Sequence, residues 1–381
     1  MLHQWYMSTS VTPFVLGTIY RSFLKPFFFA KDPEVVHDRM TSLGIHLGKH
    51  TTSKKMTRAL LSYENTKLEQ DILGIHFKNP IGLSAGFDKN AELTDILPSV
   101  GFGFEEVGSI TGDVCVGNPK PRLWRLPKSK SLAVYYGLKN DGCEAIAQRL
   151  HGKQFEFPVG VSIAMTNNAE NSDIEHGIED FAKAFETMKD IGAYITVNIS
   201  CPNTCAGQPF VQPENFEKLF DRLDRIPTEK PVFIKISPDI GFEQIDALLA
   251  VANRHRVDGV VCANLTKKRD NPNIVDEQVP SYGGLSGKVV GDMSDGMIEH
   301  VYKHYSQRFI LIGSGGVFSA EDAYRKIRLG ASLIQLITGM VFEGPQLIGA
   351  INRGLVRLLE RDGFATISDA IGVDVPGAAG R

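Results

Sequence analysis

The chain has 381 residues, of which 43% are hydrophobic and 22% are charged, enough apolar surface for one large domain or two ordinary ones. The formal net charge of -3 argues against a general basic field, so nucleic acid is not expected as a partner. Five cysteines without a C-x-x-C pair indicate a reducing compartment rather than a disulfide framework or a zinc site, and no metal is expected.

The N-terminal stretch 11–34 is apolar but interrupted. Arg21, Lys25 and Pro26 break it, so it does not supply the roughly 20 apolar residues of a membrane-spanning helix. It shows neither the features of a secretory signal nor an Arg- and Ser-rich presequence upstream of Tyr20. Two interpretations remain equal at this point: a segment that lies in a bilayer interface, and a pair of helices that covers the main domain.

From about residue 70 short apolar runs alternate with longer amphipathic stretches, the pattern of repeated βα units. The predicted strands are 79–86, 102–110, 157–164, 194–200, 231–237, 258–265, 308–315 and 332–338. Helical patterns between them include 178–192, 213–226, 242–255 and 320–331. Eight apolar strands with helical crossovers predict an α/β fold of the (β/α)8 TIM barrel type. An open doubly wound sheet is the alternative, but no G-x-G-x-x-G follows the first strand.

In such a barrel the chemistry lies at the carboxyl ends of the strands. The sequence GSGG at 313–316 follows the seventh strand, and Thr338 and Gly339 follow the eighth. Barrels hold a phosphate at this place, on glycine amides and a helix N-terminus, so we predict a phosphorylated cofactor such as flavin mononucleotide (FMN). Ser109, after the second strand, is by itself better explained by a loop hydrogen bond.

Lys89 and Lys235 both emerge from apolar strands, where a lysine is rarely buried without a partner. An ammonium group beside a flavin ring would stabilise the negative charge that builds up on reduction. The alternative is a salt bridge to a nearby carboxylate, such as that of Asp88 or Asp239.

The stretch VNISCPNT at 197–204 places the thiol of Cys201 between the side-chain amides of Asn198 and Asn203. A free cysteine is usually a small buried hydrophobe. Amides that converge on one point, however, suit a planar ligand rich in carbonyl and N–H groups. These residues alone leave open whether Cys201 packs or accepts a proton.

Together these motifs resemble the dihydroorotate dehydrogenases, specifically the membrane-associated, quinone-dependent class 2. The resemblance covers nearly the whole chain, through the segments 26–40, 79–92, 101–127, 198–204, 235–239, 283–288 and 311–336. It implies an FMN-binding barrel, here 66–381, and a small N-terminal helical domain, here 1–65, that lies on the membrane and forms a tunnel for quinone. It therefore favours the bilayer interface for the N-terminal stretch.

The resemblance implies oxidation of (S)-dihydroorotate to orotate with quinone as the acceptor, a step of de novo pyrimidine (UMP) biosynthesis. It implies a peripheral membrane protein. Because there is no clear presequence, we expect the cytoplasmic face of a bacterial-type inner membrane, and the mitochondrial inner membrane is the less favoured alternative. One alternative is class 1-like oxidation with fumarate or another soluble acceptor, and another is an FMN-binding paralogue that is silent or acts on a different reduced pyrimidine. Deleting residues 1–45 is expected to slow quinone turnover and leave flavin reduction by the substrate intact.

Carried over by motif, the resemblance makes Cys201 the catalytic base, which removes a proton from C5 of dihydroorotate while a hydride passes from C6 to the flavin. The implied substrate-binding residues are Lys89, Tyr136, Gly137, Leu138, Asn198, Asn203 and Asn264. The implied cofactor-binding residues are Ala85, Gly86, Ser109, Ser162, Asn198, Lys235, Ala263, Gly287, Gly315, Gly316, Ile337 and Thr338.

The sequence departs from the class 2 pattern at several of these positions. Class 2 members usually carry Ser as the base, whereas Cys is usual in class 1. Val134 stands where the family has a substrate-binding Asn, and Ser162 replaces a flavin-contacting Asn. Ala263 and Leu265 occupy positions where threonines are common. A lost amide contact costs about 1–3 kcal/mol if a polar ligand group stays unpaired, so these departures concern the substrate more than the fold.

Overall fold

A computed structural model describes residues 15–377, so anything predicted for residues 1–14 and 378–381 lies outside the described residues. The strands, in chain order, are β1 (Gln70–Ile72), β2 (Ile75–Phe77), β3 (Ile81–Leu83), β4 (Phe104–Ile110), β5 (Leu123–Leu126), β6 (Ser131–Val134), β7 (Val159–Ile163), β8 (Tyr194–Asn198), β9 (Val232–Lys235), β10 (Gly259–Cys262), β11 (Gly284–Gly287), β12 (Ile310–Ser314) and β13 (Leu333–Leu336).

The helices, in chain order, are α1 (Lys25–Phe29), α2 (Pro33–Gly48), α3 (Thr51–Leu61), α4 (Leu97–Val100), α5 (Cys143–Leu150), α6 (Ile174–Met188), α7 (Pro213–Leu223), α8 (Phe242–Ala252), α9 (Gly291–Tyr305), α10 (Ala320–Arg328), α11 (Thr338–Glu343) and α12 (Leu347–Asp362). A π-helical turn, Tyr20–Leu24, precedes α1.

Eight parallel strands close into a barrel in the order β3-β4-β7-β8-β9-β10-β12-β13, and β13 pairs with β3. Each of these strands lies inside the run predicted for it. The predicted TIM barrel is therefore confirmed, and the open doubly wound sheet is excluded.

The predicted helix boundaries were less accurate than the strand boundaries. The helix predicted at 178–192 begins at Ile174, because the carboxylate of Asp173 accepts hydrogen bonds from the N–H groups of Glu175 and His176. A capping carboxylate of this kind fixes where a helix starts independently of its apolar periodicity.

The amino end of the barrel is filled by aromatic rings that face glycines on the adjacent strand. The pairs are Phe104 with Gly82, Tyr194 with Gly160, and Phe233 with Gly259. A Cβ atom added to any of these glycines would lie 2.1–2.3 Å from the facing ring. The interior is thus a packed core at this end, which leaves the carboxyl end of the strands for a site.

Two insertions place a second sheet beside the barrel. Strands β5 and β6 form a hairpin after β4, and β11, which follows β10, pairs with β6 in an antiparallel sheet of order β11-β6-β5. Residues of all three strands reach the cavity described below.

The N-terminal helical region contains the π-helical turn and helices α1–α3. Helix α2 begins at Pro33 because the side chain of Asp32 accepts a hydrogen bond from the N–H of Val35 at 3.0 Å. The region exposes large apolar side chains, with Phe23 71% and Phe27 59% exposed. Within residues 15–377, no helix combines the length and the apolar character needed to cross a membrane.

Candidate active site

A continuous cavity of about 510 Å³ joins the N-terminal helices to the carboxyl ends of the barrel strands. Its polar end, at the barrel mouth, is lined by Lys89, Asn198, Cys201, Asn203, Lys235 and Asn264. Its apolar end, at the N-terminal helices, is lined by Phe28, Val36, Met40, Leu43, Leu47 and Leu97.

The structure brings the predicted site residues together around this cavity. All of them line it except Ser162, and so do the departing residues Val134 and Leu265. Ser162 is fully buried behind Ser109, with 2.8 Å between the two hydroxyl oxygens. It contacts a residue of the cavity wall rather than the cavity itself.

The amide side chains of the polar end form a connected network. Asn198 donates its Nδ2 hydrogen to the Ser109 hydroxyl at 2.9 Å, and its Oδ1 accepts one from Asn264 at 3.0 Å. The side-chain oxygen of Asn203 is buried and has no hydrogen-bond partner among the described residues. An unpaired buried acceptor at this point suits a ligand that presents an N–H group.

Cys201 lies three residues beyond the end of β8, on a loop that several side-chain hydrogen bonds hold. The hydroxyl of Ser200 donates to the carbonyl of Lys235 at 2.6 Å, and Gln208 donates to the carbonyl of Ser200 at 2.8 Å. Burial raises the pKa of the Cys201 thiol to about 11, because it outweighs the N–H of Asn203, which favours the thiolate. The thiol is therefore protonated at neutral pH.

Lys235 lies at the floor of the polar end, inside the barrel. It is buried, donates to the hydroxyl of Ser84 at 3.2 Å, and has its ammonium nitrogen 4.0 Å from the carboxylate of Glu106. Burial lowers the pKa of Lys235, and the charge of Glu106 opposes that shift. The salt bridge considered as the alternative for Lys235 is therefore present, but its partner is Glu106. Asp239 is not the partner, because its carboxylate accepts hydrogen bonds from the hydroxyl of Thr266 and from a backbone N–H instead.

Lys89 contacts the N-terminal helices rather than a carboxylate. Its ammonium nitrogen lies 3.1 Å from Nε2 of His37 and 4.2 Å from the centroid of the Tyr136 ring. Burial, with help from Lys139, lowers the pKa of Lys89 to about 8. Burial, followed by the charge of Lys89, lowers the pKa of His37 to about 3, so this imidazole is neutral and accepts a hydrogen bond from Lys89.

The alternative ion pair between Lys89 and Asp88 is wrong for a similar reason. The carboxylate of Asp88 accepts hydrogen bonds from the backbone N–H groups of Glu92 and Leu93, at 2.8 and 2.7 Å. This carboxylate therefore stabilises the loop that follows β3 and does not reach the lysine.

Glycines after β12 and at β11 form a concave backbone surface, where the sequence predicted a phosphate. Gly315 and Gly316 have consecutive φ angles of 115° and 75°, in the left-handed region that glycine adopts readily. A Cβ on Gly316 would lie 2.5 Å from the Cα of Gly291, so only glycine allows this approach. The hydroxyls of Ser286 and Thr338, 2.8 Å apart, stand beside the surface.

The charged residues of the cavity wall show whether the cavity suits an anionic ligand. The described residues that line the cavity include Lys89, Lys139, Lys235 and Arg125, but no aspartate or glutamate. A concave site with cations, hydroxyls and glycine amides, and without carboxylates, favours a phosphate and a second anion in the same cavity. The residues present therefore fit a phosphorylated flavin together with an acidic substrate.

Sequence reasoning missed Glu34 and His37 on α2, as well as Arg122, Ser84 and Glu106. Glu34 and His37 are three residues apart and therefore share one face of the helix. Two polar residues on the face that also carries the apolar side chains of an amphipathic helix were the signal that could have identified them.

The chain is similar to known proteins over most of its length. The profile of a family described as dihydroorotate dehydrogenase matches residues 67–359. A relative from Natronomonas pharaonis, named dihydroorotate dehydrogenase (quinone), is 37% identical over 355 residues, which cover 92% of this chain and 98% of the relative. A relative of the same name from Gloeobacter violaceus is 35% identical and covers 91% and 97%.

Solved structures of the same family are also similar to this chain. A crystal structure described as DHODH of Eimeria tenella in complex with ferulenol has a TM-score of 0.81 and 28% sequence identity. The alignment covers 91% of this chain and 96% of the crystallised one. The share of this chain that is covered is larger than the barrel alone, so the similarity includes part of the N-terminal region.

Proposed function

The chain belongs to the dihydroorotate dehydrogenase family, and we propose that its function is the flavin-dependent oxidation of dihydroorotate to orotate with a quinone as electron acceptor. It is an oxidoreductase of pyrimidine biosynthesis. The observation that carries the proposal is the continuity of the cavity, because the cationic, amide-lined polar end and the apolar end open into each other. One bound flavin can therefore meet an acidic, planar substrate on one side and a hydrophobic acceptor on the other.

The polar end binds dihydroorotate through complementary charge and hydrogen bonds. Lys89 supplies a cation for the substrate carboxylate, and Asn198, Asn203 and Asn264 supply amides for the ring carbonyl and N–H groups. The unpaired oxygen of Asn203 accepts from a ring N–H. Val134 and Leu265 make this wall less polar than the family pattern, so the ring is recognised mainly from the strand ends.

Cys201 is the base that takes the proton from C5, and its buried position determines when it can act. With a pKa of about 11, only a small fraction is thiolate at neutral pH, so the rate of proton removal increases with pH in that range. The flavin, when bound, supplies the acceptor for the hydride from C6. Lys235 lies at the floor of the site, where the nearby carboxylate of Glu106 favours the charged form of its ammonium group.

FMN is the flavin that the glycine surface fits. Gly287, Gly315 and Gly316 with the hydroxyl of Thr338 form one phosphate site at the usual place in a TIM barrel. A single phosphate site of this kind favours a mononucleotide over a dinucleotide. Ala85, Gly86, Ser109, Ala263 and Ile337 line the space between this site and the substrate.

Quinone reaches the flavin through the apolar end, and residues 1–65 serve as the membrane-facing region while 66–381 form the catalytic barrel. Exposed Phe23 and Phe27 beside the cations Arg21, Lys25 and Lys31 suit a peripheral contact with an anionic bilayer. We place this contact on the cytoplasmic face of an inner membrane. The quinone names of the relatives, and the mostly apolar lining of the apolar end, disfavour fumarate as the acceptor.

The test is an anaerobic stopped-flow experiment on the purified yellow protein. Dihydroorotate should bleach the flavin absorbance, and a soluble quinone should restore it much faster than fumarate does. Extraction and chromatography should identify the flavin as FMN. Restoration by fumarate alone would overturn the acceptor, failure of dihydroorotate to bleach would overturn the substrate, and FAD would overturn the phosphate site.

A further inference from the structure

An ion pair links helix α2 to the hairpin insertion of the barrel. The carboxylate of Glu34 contacts the guanidinium of Arg122 through three N–O distances, of 2.7, 3.2 and 3.2 Å. Both side chains are about 6% exposed. Burial opposes ionisation of Glu34, but Arg122 and then Lys120 outweigh it and lower its pKa, so the pair stays charged at neutral pH.

The N–H groups of Arg122 that do not contact Glu34 donate hydrogen bonds to the segment just before β5. Its second terminal nitrogen donates to the carbonyl oxygens of Val116 and Asn118, at 3.1 and 3.0 Å. Its guanidinium carbon also lies 5.1 Å from the centroid of the Tyr136 ring. Arg122 therefore helps to hold the backbone of 116–118, together with the hydrogen bond from the N–H of Asn118 to the carbonyl of Tyr136.

Asn118 extends this chain of contacts to the loop that carries Cys201. Its Nδ2 donates to the carbonyl of Asn203 at 2.9 Å, and its Oδ1 accepts from Asn167 at 3.0 Å. Asn167 in turn accepts from the backbone N–H of Cys205 at 2.8 Å. Asn118 thus holds the loop 201–205 directly at Asn203, and through Asn167 at Cys205.

We propose that Glu34 is a positioning residue for Cys201, acting through Arg122 and Asn118 from the N-terminal helical region. The inference rests on the proposed function and extends it. Helix α2 then serves flavin reduction by dihydroorotate as well as access of quinone. Removal of residues 1–45, which include Glu34, should then slow flavin reduction by dihydroorotate. The sequence alone led to the opposite expectation, that this half-reaction stays intact.

The geometry favours positioning over simple attachment of the helix. An attachment needs only the two side chains of the ion pair, whereas here Arg122 continues to two backbone carbonyls and Asn118 to the base loop. Proton removal is sensitive to the placement of its base, and a displacement of about 1 Å can cost about 100-fold in rate. A loosened base loop should therefore appear in the chemical step.

The experiment compares the full-length flavin-loaded protein with Glu34→Gln and with Glu64→Gln, the same change at an exposed glutamate within residues 1–65. Anaerobic stopped-flow gives the rate constant for bleaching and the apparent dissociation constant for dihydroorotate, and reoxidation by a soluble quinone is followed in the same samples. We expect bleaching to slow by about 10- to 100-fold in Glu34→Gln. Reoxidation should change much less, and Glu64→Gln should match the wild type.

Hydrogen exchange measured by mass spectrometry supplies a readout that does not depend on turnover. Glu34→Gln should increase exchange in the peptide that spans 201–208, beyond any increase within α2. Asn118→Ala, which keeps the ion pair and removes the downstream link, should reproduce both effects even if Glu34→Gln folds poorly. The two substitutions should be less than additive when combined, since they interrupt one chain of contacts.

The outcomes separate this inference from the proposed function. If dihydroorotate does not bleach the wild type, the proposed function fails, and exchange at 201–208 still tests the positioning. If the wild type is bleached and both variants bleach at its rate, the positioning inference alone is overturned. It is equally overturned if exchange rises only within α2.

Discussion

The two ends of the cavity are built on different principles. At the polar end, side chains arrive from the carboxyl ends of β8, β9 and β10, whose mutual positions are fixed by the closed barrel. At the apolar end, the wall is one face of α2 against residues 93–100, and the outer face of the same region exposes large apolar side chains. One end is rigid and specific, and the other is a packed surface with little hydrogen bonding.

This difference indicates a division of labour in one continuous space. Discrimination of a small polar substrate requires directed partners held by a scaffold, which parallel strand ends supply. A hydrophobic acceptor needs apolar area and a route from a bilayer, which helices supply without precise register. Substitutions at the two ends should therefore separate the two half-reactions.

The largest separation is expected at Cys201. In Cys201→Ala, bleaching of the flavin by dihydroorotate should slow by about two to four orders of magnitude, which is the usual contribution of a positioned base. Cys201→Ser should recover part of this rate with an optimum at higher pH. Bound FMN and quinone reoxidation should stay at wild-type levels in both variants, and a wild-type bleaching rate in Cys201→Ala would mean that the thiol only packs.

A bulky side chain at the apolar end should give the converse phenotype. Leu43→Trp narrows the cavity, and overpacking costs about 1–3 kcal/mol, or roughly 5- to 150-fold in quinone affinity. Steady-state titration with a soluble quinone measures this change, while bleaching by dihydroorotate should stay within about twofold. Leu60→Trp is the matched control, because Leu60 is similarly exposed in the same region but does not line the cavity.

The pH dependence should also differ between the two ends. Burial lowers the pKa of Lys89 to about 8, so its ammonium group is fully charged below that pH and loses its proton above it. Affinity for the orotate anion should therefore be constant at low pH and about tenfold weaker at pH 9 than at pH 7. Calorimetric titration with orotate checks this, and a flat profile would remove Lys89 from the substrate contact. Quinone affinity should not follow the same curve.

Saturating dihydroorotate should reveal the second ionisation. Once substrate is bound, the rate of bleaching should rise with pH towards the Cys201 pKa of about 11 and then level off. The sign follows from burial, which favours the protonated thiol, so that raising the pH produces the active thiolate. A rate that is independent of pH from 6 to 10 would contradict proton transfer to Cys201.

The smallest expected effect is at the outer face of the N-terminal helical region. Phe23→Ser removes a 71% exposed ring, and we expect vesicle binding to weaken by about 1 kcal/mol, roughly fivefold, since an interface buries only part of the side chain. Flotation with anionic vesicles measures it. Val275→Ser, at a 55% exposed valine on the loop before β11, is the control for loss of apolar surface elsewhere. Equal effects of the two substitutions would leave no preferred membrane face.

Much of the barrel and its polar end could be predicted from the sequence, and the reason is geometric. Apolar runs of strand length identify the strands, and closure then brings their carboxyl ends together, so Lys235 and Asn264 could be assigned to one site although they are far apart in the chain. The glycines at 313–316 could be assigned to a backbone surface because their position after a strand was known. Ser162 was predicted to line the site, but it lies behind Ser109. The sequence does not show which of these two neighbouring serines faces the cavity.

Contacts between helices and loops could not be predicted in the same way. The partners expected for the two lysines, Asp88 and Asp239, are nearby in sequence, but backbone N–H groups occupy both carboxylates. The residue that Lys89 does contact, His37, is on α2, and no periodicity relates that helix to the barrel. A contact between a helix and a barrel loop, such as that of His37 with Lys89, depends on tertiary packing, and the local sequence pattern does not show it.

The ring and glycine pairs at the amino end of the barrel also constrain how this sequence can change over time. Phe104, Tyr194 and Phe233 each fill the space that a glycine on the adjacent strand leaves open. Any side chain introduced at such a glycine collides with its ring, whereas a smaller residue in place of the ring leaves a void, so neither step is neutral alone. The two positions of a pair are therefore epistatic: a substitution at one position is tolerated only if the other position changes as well. The base of the barrel should diverge as three coupled pairs, more slowly than the strand-end residues above it that adapt to a new ligand one at a time.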